Sequence, residues 1–435
     1  MAKRKTKAYK RKMRMIKALI RLAVAVILII AVIVVAVVLI VKHAGTPKEE
    51  AVAYNPGPPS PAIESTASIA ATGDILLHNS VLNGAYDGTE YDFSSSFDEV
   101  AAYWSAYDYM IVNLEVPCGG DGYASGYPTF DAPDEIVRDL KEAGVDMCLT
   151  ATNHAYDCRT QGLLHTQEVL DEYGLDHVGT RTDIDESFVL IKDINGIKFG
   201  FACYTYDTRS YADSDMSLNG ITLSEDAYGL VNSFCYSDLD TFYDSVAEDL
   251  DTMEEAGCDV TIFFVHWGDE YTDNPNGYQE EMSQKMADLG VDVIIGGHPH
   301  VIQKFDVLTG EEGNQTYCLY SMGNAISSQR KSIMTEDDCR GYTEDGITFS
   351  VSYEKFNNGK VKLTGVSILP TWVEVEDDGV FKIIPLDQSM LTEKWQTNSL
   401  SEAIASYNRT LGRVGEMYPT IRAYLGMSEV KTVIE

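Results

Sequence analysis

Three times the chain carries a helical pattern into a glycine, a short apolar run and a residue able to bind a metal: EAGVDMCLTATNH, EAGCDVTIFFVHW and DLGVDVIIGGHPH. Gly144, Gly257 and Gly290 each stand where a helix must stop, a position that favours a residue able to adopt positive φ. A helix feeding repeatedly into a buried apolar strand restricts the chain to an α/β architecture with a largely parallel sheet. Asn153 lies nine residues past its glycine, His266 nine and His298 eight. The expectation is that all three emerge at the carboxyl edge of one parallel sheet, where open α/β sheets bind their ligands.

The remaining organisation follows from composition. Residues 1–21 hold ten Lys or Arg and no acid, and they lead into twenty uncharged, almost purely aliphatic residues from Leu22 to Val41. Twenty residues at helical rise extend about 30 Å, one hydrocarbon core. The basic flank predicts a cytoplasmic N-terminus, with everything after Lys42 outside the cell membrane. A cleaved signal peptide is the rival, although its apolar region usually runs only about 7–15 residues. Pro56, Pro58, Pro59 and Pro61 mark a semi-extended stalk over 42–67. A folded domain is expected over 68–385, and a helical extension over 386–435, where Leu400, Ile404, Tyr407 and Leu411 recur at helical spacing.

The formal net charge is −34, and removing the eleven basic residues of 1–42 (−34 − 11) leaves −45 on the rest. Such a surface repels nucleic acid and polyanions alike, so an anion could be captured only through local positive charge. Eight cysteines in an exported chain are enough for disulfides, but no CxxC pair offers a thiolate zinc site. Cys118 and Cys158 could pair if their loops converge. Asn195-Gly196 between two apolar runs predicts a hairpin, so antiparallel strands must join the parallel ones. The strand patterns after His300 call for a second sheet packed on the first.

Five blocks of metal-binding or polar residues stand at predicted strand ends: Gly73-Asp74, Asn113-Leu114-Glu115, Asn153-His154, His266-Trp267-Gly268 and Gly297-His298-Pro299-His300. Imidazoles, carboxylates and a carboxamide in one place suit divalent Zn, Mn or Fe, with one carboxylate able to bridge two ions. His43, His165 and His177 are read as surface or packing residues.

In order and content these blocks resemble the CapA family of capsule and poly-γ-glutamate biosynthesis, within the calcineurin-like metallophosphoesterase superfamily. The resemblance runs from about residue 68 to 330, and HWGDEY, HPHVIQ and YSMGN support it. It implies a four-layer α/β/β/α metallophosphoesterase-like sandwich behind one transmembrane helix, with one or two divalent ions at the sheet edge. Asp74 and His300 would bind one ion, Asn153, His266 and His298 the other, and Glu115 would bridge them. His154 would contact substrate and protonate the leaving group, with Asp157 orienting it. The superfamily's opening motif is Asp-x-His, but here Asp74 is followed by Ile75 and Leu76, so one ligand is missing. His78 is a candidate substitute, and Asn113 a further candidate ligand. The resemblance implies a metal-dependent hydrolase or transferase at the bacterial cell surface, acting on an extracellular anionic polymer such as poly-γ-glutamate. The alternative is a non-catalytic, polymer-binding or scaffold subunit beside membrane synthase subunits. No P-loop is present, so ATP-driven synthesis would belong to a partner.

Overall fold

The computed structural model describes residues 29–36, 39, 61–120, 122–208, 216–334, 341–387 and 398–415. The chain divides into two compact units, Met1–Ser60 and Pro61–Glu435. Of the expected membrane span, only Ile29–Ala36 and Leu39 are described; they are helical and exposed. Among the described residues no helix is long and apolar enough to cross a membrane. The rest of that span, and nearly all of the expected stalk, lie outside the described residues.

In the larger unit the first strand, β1 (Ile63–Ile75), starts five residues before the expected boundary at 68. It is followed by α1 (Asn79–Ala85), α2 (Ser94–Trp104), β2 (Tyr109–Leu114), α3 (Glu135–Glu142), β3 (Met147–Leu149), α4 (Arg159–Glu172) and β4 (Asp176–Val178). The middle of the chain supplies β5 (Leu190–Ile194), β6 (Ile197–Tyr206), β7 (Ser217–Leu218), β8 (Ile221–Thr222), β9 (Ser233–Phe234), α5 (Leu239–Ala256), β10 (Val260–His266), α6 (Gly277–Leu289) and β11 (Val293–Gly297). Strands then dominate: β12 (Phe305–Thr309), β13 (Gln315–Leu319), β14 (Asn324–Ile326), β15 (Asp345–Phe356), β16 (Val361–Val375) and β17 (Phe381–Pro385), before α7 (Leu400–Gly415).

Two sheets result. The first runs β17-β16-β15-β1-β2-β3-β4 with β14 beside β1, and the second runs β12-β13-β11-β10-β6-β5 with β9 beside β6. The two central runs, β1-β2-β3-β4 and β6-β10-β11-β13, are parallel. The predicted hairpin at Asn195-Gly196 joins β5 to β6, both turn residues having positive φ.

One expectation is corrected here. The threefold cadence does not belong to one sheet: β3 lies in the first, β10 and β11 in the second. The pattern records a helix delivering a buried strand, and it is blind to which sheet receives that strand. The late strands are likewise divided, β12 and β13 extending the second sheet and β14 to β17 the first.

Alternation along the strands builds the layers. Ile69 and Ala71 of β1, Ile111 of β2, Phe199 and Phe201 of β6 and Ile262 and Phe264 of β10 meet in one apolar cluster between the sheets. The intervening residues point the other way, as a period of two requires. Ala70, Met110 and Val112 pack with Phe97 and Trp104 of α2 and Val137 and Leu140 of α3. Tyr204, Phe263 and Ile294 pack with Phe242 and Val246 of α5 and Met286 of α6. The order of layers is helix, sheet, sheet, helix. Because both faces of each sheet are covered, the strands read as continuous apolar runs rather than alternating ones. Helix α7 covers the first sheet through Tyr407, Trp372 and Ile384, so the described part of the C-terminal segment is no appendage.

Candidate metal centre

Two strands from each sheet end together. Asp74 is the last residue but one of β1 and Glu115 follows β2, both fully buried, while His266 closes β10 and His298 and His300 follow β11. Close backbone approach makes this possible at two glycines. A Cβ on Gly73 would lie 1.8 Å from the Gly323 carbonyl oxygen, and one on Gly297 3.0 Å from Asp74 Oδ1. The loop beyond β11 is strained: His298 and His300 have φ of 93° and 57°, on either side of Pro299. Such backbone costs about 1–3 kcal/mol per residue and clusters at working sites.

The polar contacts are dense. Asn113 Nδ2 donates to Asp74 Oδ1 at 2.7 Å, and His300 Nδ1 lies 3.0 Å from Asp74 Oδ2 and 3.1 Å from Asn324 Oδ1. His266 Nε2 is 2.8 Å from Asn153 Oδ1 and 3.3 Å from Glu115 Oε1. His300 Nε2 is 3.9 Å from the same Glu115 oxygen. Yet both Glu115 oxygens and His298 Nδ1 are buried without a hydrogen-bond partner. Ligand atoms of Asp74, Glu115 and His300 lie within 4.8 Å of one another, as do those of Glu115, His266 and His298, and those of Glu270, His298 and His300.

Charge follows the same layout. Burial pushes the Asp74 carboxyl up, but the hydrogen bond and charge of His300, then His266 and Asn113, outweigh it and hold it below the ordinary value. Burial presses His300 down, yet Glu115 and Asp74 raise it to about 9. His298 is driven well below the usual imidazole range by burial and by His266 and His300, which keeps its ring neutral. A neutral imidazole is the ligand form.

Beside this cluster stands a second constellation. His154 Nδ1 lies 2.7 Å from Asp157 Oδ2, which also accepts from the Phe130 N–H at 2.7 Å. Asn219 Nδ2 donates to Asp157 Oδ1 at 2.9 Å and to the Pro128 carbonyl at 2.9 Å, and it lies 3.2 Å from His154 Nδ1. The Phe130 ring meets His154 edge-on at 4.7 Å. A cavity of about 320 Å³ opens beside Asp157, with Phe130, Arg159 and Gln161 among its lining residues.

A family model described as "Bacterial capsule synthesis protein PGA_cap" matches residues 68–329, well over half of the chain. The chain belongs to this family. Among its relatives is the capsule biosynthesis protein CapA of Bacillus anthracis, 27% identical over 310 residues that cover 69% of this chain and 67% of the relative. The PGA biosynthesis protein CapA of Bacillus subtilis (strain 168) is 26% identical over 284 residues, covering 63% of this chain and 65% of its own. The chain thus spans about two thirds of the length of these relatives. Among solved structures, a Thermus thermophilus sulfate thiohydrolase SoxB in complex with glycerol aligns with 74% of this chain and 46% of its own, at 12% identity and a TM-score of 0.34, a loose likeness of shape.

Within this PGA_cap chain the predicted site residues are distributed unevenly. Asp74, Glu115, Asn153, His266, His298 and His300 are brought together. Asn113 is present as a donor to Asp74. His78 is not part of any ligand group among the described residues: it starts α1, its Nδ1 is 3.5 Å from Ser327 Oγ, and its ring packs on Phe130. Burial, then the charges of His300 and His154, lower it to about 4. The Cys118 and Cys158 loops do converge on Gly162, but neither cysteine is in a disulfide; the Cys158 thiol donates to the Phe130 carbonyl at 3.2 Å.

Three residues of the centre escaped the sequence reading. Glu270 lies in HWGDEY and Asn324 ends YSMGN, so both stood inside quoted motifs without a role. Asn219 is the first residue of an Asn-Gly pair between β7 and β8, a hairpin signal as plain as the one at Asn195. The donor set itself fits a divalent ion. Carboxylates and imidazoles within a few ångström, several of them buried and unpartnered, are arranged as ligands rather than as a satisfied core.

Proposed function

We propose that this chain is a cell-surface, metal-dependent hydrolase or transferase acting on an anionic polymer such as poly-γ-glutamate. In this reading Leu22–Val41 anchors it as a single-pass protein with the basic segment in the cytoplasm. The printed names of its relatives, capsule and PGA biosynthesis proteins, support the polymer. The observation that carries the activity is Glu115, whose two oxygens are buried between His266 and His300 and accept no hydrogen bond. A buried carboxylate that accepts no hydrogen bond is strongly unfavourable unless a cation completes it.

In a metallophosphoesterase-like assignment, Asp74, Glu115 and His300 would hold one divalent ion and Glu115, Asn153, His266 and His298 a second, with zinc, manganese and iron all chemically suited. When bound, such ions polarise a carbonyl or phosphoryl group and lower the pKa of a bound water. The chain's own residues do the rest. In the imidazolium form of His154, Nδ1–H donates a hydrogen bond to Asp157 and Nε2–H is the proton delivered to a departing amine or alkoxide, which returns the ring to its neutral Nδ1–H form. The Phe130 N–H and Asn219 hold the Asp157 carboxylate, fixing the imidazole plane. Phe130 shields one side of His154 from water. Against a surface of strongly negative charge, bound ions and Arg159 at the neighbouring cavity supply the local attraction a polyanion needs.

The test is metal content together with turnover of poly-γ-glutamate and of phosphate esters. His154→Ala should retain its ions and lose turnover; a preparation that never takes up a divalent ion overturns the reading. A second reading has its own observation. Ile75 and Leu76, where the superfamily would place its opening histidine, are buried apolar residues, which favours a scaffold or polymer-binding subunit beside a membrane synthase. Full ion occupancy without turnover of either substrate class would select it.

A further inference from the structure

The first ion position is one ligand short, because Asp74 is followed by Ile75 and Leu76, both turned into the apolar core. The second position has Glu115, His266, His298 and Asn153 at hand. Whatever completes the first must come from elsewhere in the chain. His78 was the sequence candidate, and it instead packs at the start of α1 against Phe130.

The loop after β10 offers another route. Glu270 is exposed on the solvent side, and its carboxylate lies within 4.8 Å of ligand atoms of both His298 and His300. The next residue fixes that position. Tyr271, held at φ 59°, donates its N–H to the Pro299 carbonyl at 2.8 Å, and Pro299 is the residue between the two histidines. Gln329 Nε2 donates to the Tyr271 hydroxyl at 3.1 Å, and the Tyr271 ring stands 5.8 Å from that of His300. The loop is thus fastened to the strained turn that presents the histidines, from both backbone and side chain. A second observation points to a ligand at this place: both oxygens of Glu115, which shares the first position with Asp74 and His300, are buried and have no hydrogen-bond partner.

We propose that Glu270 is the carboxylate ligand that completes the first ion position, in place of the histidine absent from the opening motif. This rests on the two-ion reading given above. Replacing a histidine by a glutamate adds a negative charge to a centre that already holds Asp74 and Glu115, and it moves one ligand from the buried sheet edge to an exposed loop. Ion entry and release then depend on the loop from Trp267 to Thr272 rather than on opening the core. The harder, oxygen-rich donor set shifts the first position toward manganese or iron and away from zinc.

The full-length chain in detergent, stripped with chelator and reloaded with manganese, tests this by ion count and by electron paramagnetic resonance. The wild type is expected to hold two ions per chain and to show an exchange-coupled spectrum. Glu270→Gln should hold one ion tightly, weaken the other about 100-fold and give an uncoupled six-line signal. His78→Ala should behave as wild type. Because Glu270 is exposed, its variant is expected to keep the unfolding temperature of the stripped wild type, which separates ligand loss from misfolding. Two coupled ions in Glu270→Gln overturn the inference while leaving the two-ion reading intact, and so does loss of the first ion in His78→Ala. A wild type that holds fewer than two ions removes the reading and the inference together.

Discussion

The two constellations of the site are neighbours built in opposite ways. Around Asp157 every carboxylate oxygen is engaged, Oδ2 by His154 and the Phe130 N–H and Oδ1 by Asn219. Around Glu115 neither oxygen has a hydrogen-bond partner, and the same is true of His298 Nδ1. Leaving a buried polar atom unmade costs about 1–3 kcal/mol, and more for a charged one. A fold that accepts that cost several times within one small volume is shaped for something absent from its own sequence. The completed constellation is instead a preorganised device, whose groups are already where a proton transfer needs them.

The largest test of this contrast is ion loading. A divalent ion at about 1,000 times its dissociation constant should stabilise the folded chain by about 4 kcal/mol, read as a rise in unfolding temperature that chelator reverses. Glu115→Gln should invert the picture: it relieves a buried charge that no hydrogen bond satisfies, so the stripped variant unfolds at a higher temperature than stripped wild type and gains little from added metal. An unchanged metal response in this variant would sink the bridging assignment. His154→Ala should go the other way, costing about 3 kcal/mol in urea denaturation because Asp157 is left buried without its imidazole. Its ion count should not change; lost ions would place His154 in the metal centre.

How much of this contrast is legible in sequence depends on what each half is made from. Asp74, Glu115, His266, His298 and His300 stand out because a strand pattern ends on each, and a buried strand end is a local property. Their division between two sheets is not local, since β3 and β10 carry the same cadence into different sheets. Glu270 was hidden because nothing in HWGDEY says that its loop folds back on Pro299; that contact depends on the positive φ of Tyr271. Asn219 was hidden for a different reason. Its turn is legible, but the place where a two-residue hairpin tip lands is set by Leu218, Leu223 and Ala227 packing on Ala155 and Tyr156, which is tertiary.

Asn219 gives the next test. Asn219→Ala removes the amide bonds to Asp157 and to the Pro128 carbonyl and also places alanine at φ 47°. Together these should cost about 2 kcal/mol, one part for the hydrogen bonds and one for the left-handed backbone. Asn219→Gly keeps the turn and loses only the two side-chain bonds, so it should recover about half. If glycine is as damaging as alanine, the backbone is not the second contribution. Neither variant should alter ion count, because the completed constellation stands apart from the ligands.

The smallest effect comes from a half-buried acid outside both constellations, which separates ordinary desolvation from burial at a site. Asp249 on α5 accepts from the Tyr204 hydroxyl at 2.5 Å. Burial raises its carboxyl to about 6 against the opposing hydrogen bond of Tyr204. The folded state therefore holds the proton more tightly than the unfolded chain. Its stabilising contribution is complete below about pH 4, declines as pH rises, and is gone above about pH 6, where the folded chain carries a poorly solvated charge. Asp249→Asn should accordingly gain about 1 kcal/mol at pH 7–8 and nothing near pH 4, the difference between variant and wild type being measured by urea denaturation at each pH. Unlike Glu115→Gln, it should leave the response to metal untouched. Asp249 has one good hydrogen bond and a modest penalty, whereas Glu115 has no hydrogen bond, and only the second pattern marks a place where a ligand is expected. A gain at pH 4 equal to that at pH 8 would mean that the charge of Asp249 is not what burial opposes, and the contrast would then rest on the metal centre alone.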